Sequence, residues 1–286
     1  MPIYPLRKLE PAADATALYD EWLGGIEASL ARGDNRWELC RATLTGLFHP
    51  HLAGARPESL PVAARVALAQ MDARNVTMEP EYYAEVDVAK FDECKPLLWM
   101  WQMFDRSALG ANIHLGVRFR RALAPHIFAR VGRNFKCFHN VEFSFGYNMQ
   151  VGDDVVVHRN VLLDDRGGIV LGDGVSISDY ANIYSHTHSI VDQADVSNLC
   201  TTIADGVRIT YHATVLAGTR VGNDSMVGAM AVATRDVRPW HVHVGIPAKS
   251  VRVKPNAPPE AYKLTLRHTA GDENPSGAAI PTSGEG

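Results

Sequence analysis

Residues 203–237 read IADGVRITYHATVLAGTRVGNDSMVGAMAVATRDV, and this stretch decides the fold. An apolar residue returns at every sixth position: Ile203, Ile209, Val215, Val221, Val227 and Ala233. Four residues after each stands one that is small or β-branched: Val207, Ala213, Thr219, Ser225, Ala231 and Val237. A six-residue period matches neither the 3.6-residue turn of a helix nor the two-residue alternation of a strand. It fits a solenoid of short flat strands and corners, in which each leading side chain points inward and stacks on its equivalent one coil away. The small companions fill tight inner corners, where Leu or Phe would overpack.

Upstream the same period carries Val151, Val157 and Leu163, then Leu171, Ile177 and Ile183. Gly followed by Asp or Asn recurs after leading residues, as in Val151-GDD, Leu171-GDG and Val221-GND, and suits the backbone angles of a sharp corner. One large interruption lies between Ile183 and Ile203 and contains Tyr184-SHTHSIVDQADVSNLCTT. A break in a regular repeat is where function can be inserted, and His186 and His188 stand where the chain leaves the coil.

The flanks have another texture. Ala13 to Arg32 carries Leu18, Trp22, Ile26 and Leu30 at helical spacing and ends at Gly33. Arg36 to Phe48 and Leu60 to Arg74 also read as amphipathic helices, the latter with Pro61 at its start. The aromatic run Pro96 to Asp105 is expected to pack onto the next domain, and Arg118, Arg120 and Arg121 to form a solvated face. Beyond Pro255 the chain is rich in Pro, Gly, Ser, Ala and Glu, a composition unsuited to a core, with Glu260 to His268 as a possible short docking helix. The expected organisation is a helical domain over 1–125, a β-solenoid over 126–254 and a flexible tail over 255–286.

Bulk properties narrow the function. With 286 residues and a formal charge of -4, the chain lacks the global positive field of a nucleic-acid binder, so any phosphate must meet a local basic cluster. Cys40, Cys94, Cys137 and Cys200 are too far apart for a CxxC pair and read as free thiols of a reducing compartment. Neither the start, MPIYPLRKLEP, nor the run Pro96-LLWMWQMF-Asp105 is long and apolar enough for a signal peptide or a membrane span. Cytoplasm is the expected location.

The pattern [LIV]-[G/A/S]-x-x-[small/V]-x resembles the hexapeptide repeat, whose known bearers fold as left-handed parallel β-helices. Four stretches further resemble the maltose and galactoside O-acetyltransferase branch of that acyltransferase family: Phe143-SFGYNMQVGDD, Asn182-IYSHTHSI, residues 203–237 and Gly245-IPAKSVR. The resemblance spans roughly His126 to Lys254. It implies a mainly β fold, a homotrimer, and acetyl-CoA as acyl donor, with no metal. His188 corresponds to the catalytic base of the family's Thr-His-Pro segment; here Ser189 replaces the Pro, which leaves the loop less constrained. By the same resemblance Ala217, Gly218, Ala229 and Thr234 line the pantetheine arm, while Lys249 and Arg252 meet the nucleotide phosphates. Arg208 stands where the family has Trp, and Thr210-Tyr211 replace a small pair, so donor contacts are altered.

Acyl transfer from a thioester needs a base to take the acceptor's proton, and an imidazole that titrates near neutrality suits that step. His188 is the candidate base. His186, His158, Asp164 and Asp165 are candidates to bind the acceptor, and an aspartate could orient His188. The alternatives are a zinc hydro-lyase resembling the γ-class carbonic anhydrases, with His186, His188 and His212 as ligands, and a non-catalytic assembly module on the same scaffold.

Overall fold

The chain's fold, given by a computed structural model that describes residues 9–268, is a β-solenoid capped at one end by helices. The hexad aliphatics build it as their spacing demands. Each lies in a short strand of two or three residues, and the strands stack into three parallel sheets, the faces of a triangular prism. On the first face Val131, Val151, Leu171, Ile203 and Val221 lie in register. On the second run Cys137, Val157, Ile177, Ile209, Val227 and His243. On the third run Phe143, Leu163, Ile183, Val215 and Ala233. Ile177, Ile183, Ile203, Ile209 and Val215 are 0% exposed, and full burial of one such side chain is worth roughly 1.5–3 kcal/mol.

Each vertex has its own chemistry. Between faces one and two, carboxylates bond down the stack: the Arg133 N–H donates to Asp153 Oδ1 (2.7 Å), that of Asp153 to Asp173 Oδ1 (2.7 Å), and that of Asp173 to Asp205 Oδ1 (2.8 Å). Gly152 is required there, because a Cβ would stand 2.7 Å from the backbone carbon of Gly172 one coil on. Between faces two and three, Asn140, Asn160, Tyr180, His212 and Met230 all turn the corner with left-handed backbone angles. The third vertex, between faces three and one, is where the chain makes its long excursion.

The helices are α1 (Ala13–Arg32), α2 (Arg36–Phe48), α3 (Val62–Ala69), α4 (Val88–Asp105), α5 (Ile113–Leu123) and α6 (Pro259–His268). The first two match the sequence reading, except that Leu18 points to solvent and Leu23 packs inward beside Ile26 and Leu30. The helix expected over Leu60 to Arg74 is shorter: after Ala69 the Asp72 carboxylate accepts from the Arg74 N–H and caps a separate short turn, Ala73–Asn75.

Helices and solenoid share one hydrophobic core. The aromatic run packs as its composition suggested, with Trp101 and Phe128 edge-on to Phe143 at 5.1 and 5.0 Å, so α4 closes the open first coil. The arginine cluster departs from expectation. Arg120 is 1% exposed and binds Asp105 through Nε (2.9 Å) and the Gly110 and Cys137 carbonyls, which ties α5 to the second face. Arg121 donates to the Phe135 carbonyl and Arg118 pairs with Asp20. Arg120 is thus a buried joint rather than part of a solvated face, because it satisfies backbone carbonyls that α5 crosses, while Arg121 stays exposed as expected and Arg118 is half-buried.

Of the tail, residues 259–268 form α6; its Ala261 carbonyl faces His241 Nε2 at 3.4 Å. The rest of the tail expected to be flexible, 269–286, lies outside the described residues. Among the described residues no helix is long and apolar enough to cross a membrane.

Candidate active site

The excursion is a hairpin. His186–His188 pairs antiparallel with Val196–Asn198, so the interruption of the repeat carries its own two-stranded ribbon out from the third vertex. Its base is tightly bound. Ser185 Oγ donates to the Asp164 carbonyl (2.5 Å) and accepts from the Gly167 N–H (2.8 Å), while the Leu199 N–H donates to the Ser185 carbonyl (2.7 Å). Thr201 Oγ1 donates to the Tyr184 carbonyl (2.7 Å) and accepts from the Gly218 N–H (2.9 Å), which links hairpin and next coil.

His188 is exposed at the end of its strand, and its Nδ1 lies 2.7 Å from the Gln193 carbonyl. A carbonyl oxygen only accepts, so Nδ1 carries the proton and Nε2 of the neutral ring keeps its lone pair. The loop that presents this carbonyl is organised by the serine in the proline's place: Ser189 Oγ accepts from the Val191 and Asp192 N–H groups at 3.2 and 3.4 Å, and its N–H donates to the Asp195 carbonyl at 2.9 Å. Ser189 thus supplies hydrogen-bonded constraint where the sequence suggested looseness.

Asp164 orients the other imidazole. Its carboxylate is 3% exposed, accepts from Ser144 Oγ at 2.9 Å, and makes a short hydrogen bond with Nδ1 of His186. The two rings stand 5.3 Å apart at 82°. Asp165 points into the protein, where it accepts from the Phe145 and Asn148 N–H groups (2.8 and 3.3 Å); burial pushes its carboxyl up to about 7. Asp165 therefore braces the Phe143–Met149 turn beneath the hairpin.

The remaining candidates fall on different parts of the prism. Ala217, Gly218 and Thr234 lie along the third vertex, on the coils that follow the hairpin, and Leu199 closes over Gly218. His158 and Ala229 lie along the second vertex, His158 stacked on Phe138 at 4.9 Å and so apart from Asp164 and His186. Lys249 and Arg252 are exposed on the terminal strand Lys249–Val253, antiparallel to His241–Val244. His212 stacks on Tyr180 at the second vertex, away from both hairpin histidines. Among the described residues no three His, Cys, Asp or Glu side chains group as a metal site.

Sequence reasoning did not find Glu85 and Arg166. Arg166, 7% exposed, donates from Nε to Glu85 (2.6 Å) and lies 3.9 Å over the Tyr83 ring. This pair clamps the segment before α4 to the third vertex beside a groove of about 450 Å³, lined in part by Tyr147, Asn148, Gln150, Asn198 and Cys200. Glu85 sits 81 residues before Arg166, in a segment without repeat or motif, so no local signal marked it.

No protein-family model matches the chain. The galactoside O-acetyltransferase of Escherichia coli is 28% identical over 140 residues, covering 48% of this chain and 69% of that protein. Among solved structures, a maltose O-acetyltransferase from Clostridium difficile superposes with a TM-score of 0.53 at 24% identity, over 60% of this chain and 91% of that one. A hexapeptide-repeat acetyltransferase from Vibrio cholerae, solved with acetyl coenzyme A, gives a TM-score of 0.51 at 25% identity, over 60% and 90%. By sequence the chain is similar to the galactoside O-acetyltransferase, and by fold it is similar to the hexapeptide-repeat, left-handed β-helix acetyltransferases.

Proposed function

We propose that the protein transfers an acetyl group from acetyl-CoA to a hydroxyl or amine of a small acceptor, with His188 as general base. The observation that carries this reading is the Gln193 carbonyl against His188 Nδ1, which leaves Nε2 as a lone-pair acceptor on an exposed hairpin. In the reaction the acceptor's oxygen or nitrogen attacks the thioester carbonyl carbon while its proton moves to Nε2. The tetrahedral intermediate then collapses, the C–S bond breaks, and the imidazolium returns the proton to the departing thiolate. The Gln193 carbonyl stabilises the imidazolium by accepting from Nδ1.

The donor runs along Ala217, Gly218, Ala229 and Thr234, whose small side chains let a thin pantetheine arm approach the backbone. Lys249 and Arg252 then meet the nucleotide phosphates, as cations suited to that anion. Neither makes an ion pair with another described residue, so both charges are available. Because Ala229 and His158 stand on a different vertex from the hairpin, one site using both sets needs a second copy of the chain. A homotrimer, with the second vertex of one protomer facing the hairpin of the next, satisfies that need. In the same reading the enzyme works in the cytoplasm, where its four unpaired thiols stay reduced.

Following thiol release from acetyl-CoA across sugar and amine acceptors tests the activity, and Lys249→Ala with Arg252→Ala tests the donor site by calorimetry. The expected result is coenzyme A binding by the parent that weakens about tenfold or more in the double variant, as for loss of charge-assisted contacts. A parent that binds no coenzyme A would leave the scaffold as an assembly module.

A further inference from the structure

We propose that Glu85 is a positioning residue for the acyl transfer: it fixes the hairpin that carries His188, through Arg166 at the foot of the ribbon and Asn198 on its return strand. This deepens the acyl-transfer reading and rests on it.

A ribbon of two three-residue strands is marginal in water by itself, so the place of His188 depends on what holds the ribbon from outside. The outgoing strand is held through His186, whose Nδ1 meets the Asp164 carboxylate. Among the described residues, Asn198 is the one residue of the return strand whose side chain hydrogen-bonds beyond the ribbon, its Nδ2 donating to Glu85 Oε1 at 3.5 Å. The same oxygen accepts from Arg166 Nε at 2.6 Å. Arg166 belongs to the foot of the ribbon, because the N–H of the next residue, Gly167, donates to Ser185 Oγ. In the ladder Asn198 lies opposite His186, and Val196 opposite His188. A return strand released at Asn198 therefore carries the base-bearing strand with it, and a misplacement of about 1 Å near the reacting atoms costs on the order of 10²-fold in rate.

Glu85 itself stands on a firm seat. Two residues before it, the Tyr83 ring lies 3.9 Å from the Arg166 guanidinium and edge-on to Phe145 at 6.3 Å. Two residues after it, the Asp87 N–H donates to Tyr147 Oη at 2.9 Å, and Tyr147 stacks on Phe145 at 5.1 Å. Glu81 pairs with Lys95 of α4 at 2.7 Å. The segment is thus seated through residues other than Glu85, and what the Glu85 carboxylate adds is the tie to the ribbon. Because Glu85 precedes the β-helix, this hold on the base comes from the helical part of the chain.

The experiment measures kcat and KM by thiol release in the parent, Glu85→Ala, Glu85→Gln and Asn198→Ala, with hydrogen exchange of the hairpin amides, 186–198, beside it. In Glu85→Ala, kcat should fall about tenfold or more while KM for acetyl-CoA stays within about twofold, because the donor groups lie on later coils. Glu85→Gln keeps an acceptor oxygen for Arg166 and Asn198 and should recover at least about half of that loss on a logarithmic scale. Asn198→Ala, at an exposed side chain, should lower kcat about threefold with an unchanged melting temperature. Hairpin amides should exchange about tenfold faster in Glu85→Ala, and those of the solenoid strands at the parental rate. Parental kcat in Glu85→Ala, or a loss that falls on the donor KM, overturns the proposal. Glu85→Ala leaves the buried Arg166 cation without its carboxylate; if it fails to fold, Asn198→Ala decides, and parental kcat there overturns the proposal. No thiol release from the parent with any acceptor would remove the transferase reading instead, and unchanged hairpin exchange in Glu85→Ala would sink the positioning role in either case.

Discussion

His188 and His186 differ in what holds them, and that difference predicts what their loss does. His188 is exposed, meeting the Gln193 carbonyl of its own loop and the edge of the His186 ring, so His188→Ala should leave the fold and its melting temperature nearly unchanged while turnover falls about 10²-fold or more. Circular dichroism together with thiol release checks both halves, and near-parental turnover would take His188 out of the mechanism. His243 illustrates the opposite case. It is 7% exposed with Nε2 unpartnered, and burial, Arg238 and His241 depress its folded pKa to about 4. The unfolded chain then binds a proton that the folded one refuses, so stability is lost as pH falls from about 6.5 toward 4, by on the order of 3 kcal/mol. His243→Gln should therefore narrow the gap between melting temperatures measured at pH 7 and pH 4.5; an unchanged gap would show that this histidine does not govern it.

Among the elements, the hairpin is the one that carries the proposed general base, and it depends on close approach at its foot. A Cβ on Gly167 would lie 2.2 Å from the Ser185 carbonyl oxygen and 2.5 Å from the Leu199 nitrogen, both backbone atoms. Gly167→Ala must push the ribbon off the third vertex, at a cost of about 1–3 kcal/mol by analogy with other overpacked sites. A melting temperature lower by several degrees and turnover reduced more than tenfold are expected, with coenzyme A binding largely kept because Lys249 and Arg252 lie on the terminal strand. Full activity in that variant would mean that the position of the hairpin is not what sets the rate.

For the whole molecule, the critical joint is the closure of the first coil by α4 and α5. Arg120 and Asp105 are 1% and 4% exposed in their side chains, and burial raises the Asp105 carboxyl even against its partner's charge. Removing one partner strands the other, so Arg120→Met should destabilise by about 3–5 kcal/mol, whereas Arg133→Ala, at an exposed pair, should leave stability nearly unchanged. Denaturant titration of the two variants gives the comparison, and equal effects would refute the role of the buried joint. Sedimentation of the parent tests the assembly: a trimer is expected, because in the proposed site Ala229 and His158 on the second vertex must reach the hairpin of a neighbouring copy.

The six-residue period determined the solenoid by itself, because every coil repeats the same local choice and stacking neighbours bury the same face. The hairpin histidines were legible for the same reason, standing where that repetition stops. What only the tertiary structure decided was long-range and non-repetitive: that Asp164 serves His186 while a loop carbonyl serves His188, that His158 turns to another vertex, that Arg120 is a buried joint, and that Glu85 clamps Arg166. Those pairings join segments up to 81 residues apart with no shared period, and a hydrogen bond between such segments leaves no mark in the spacing of either.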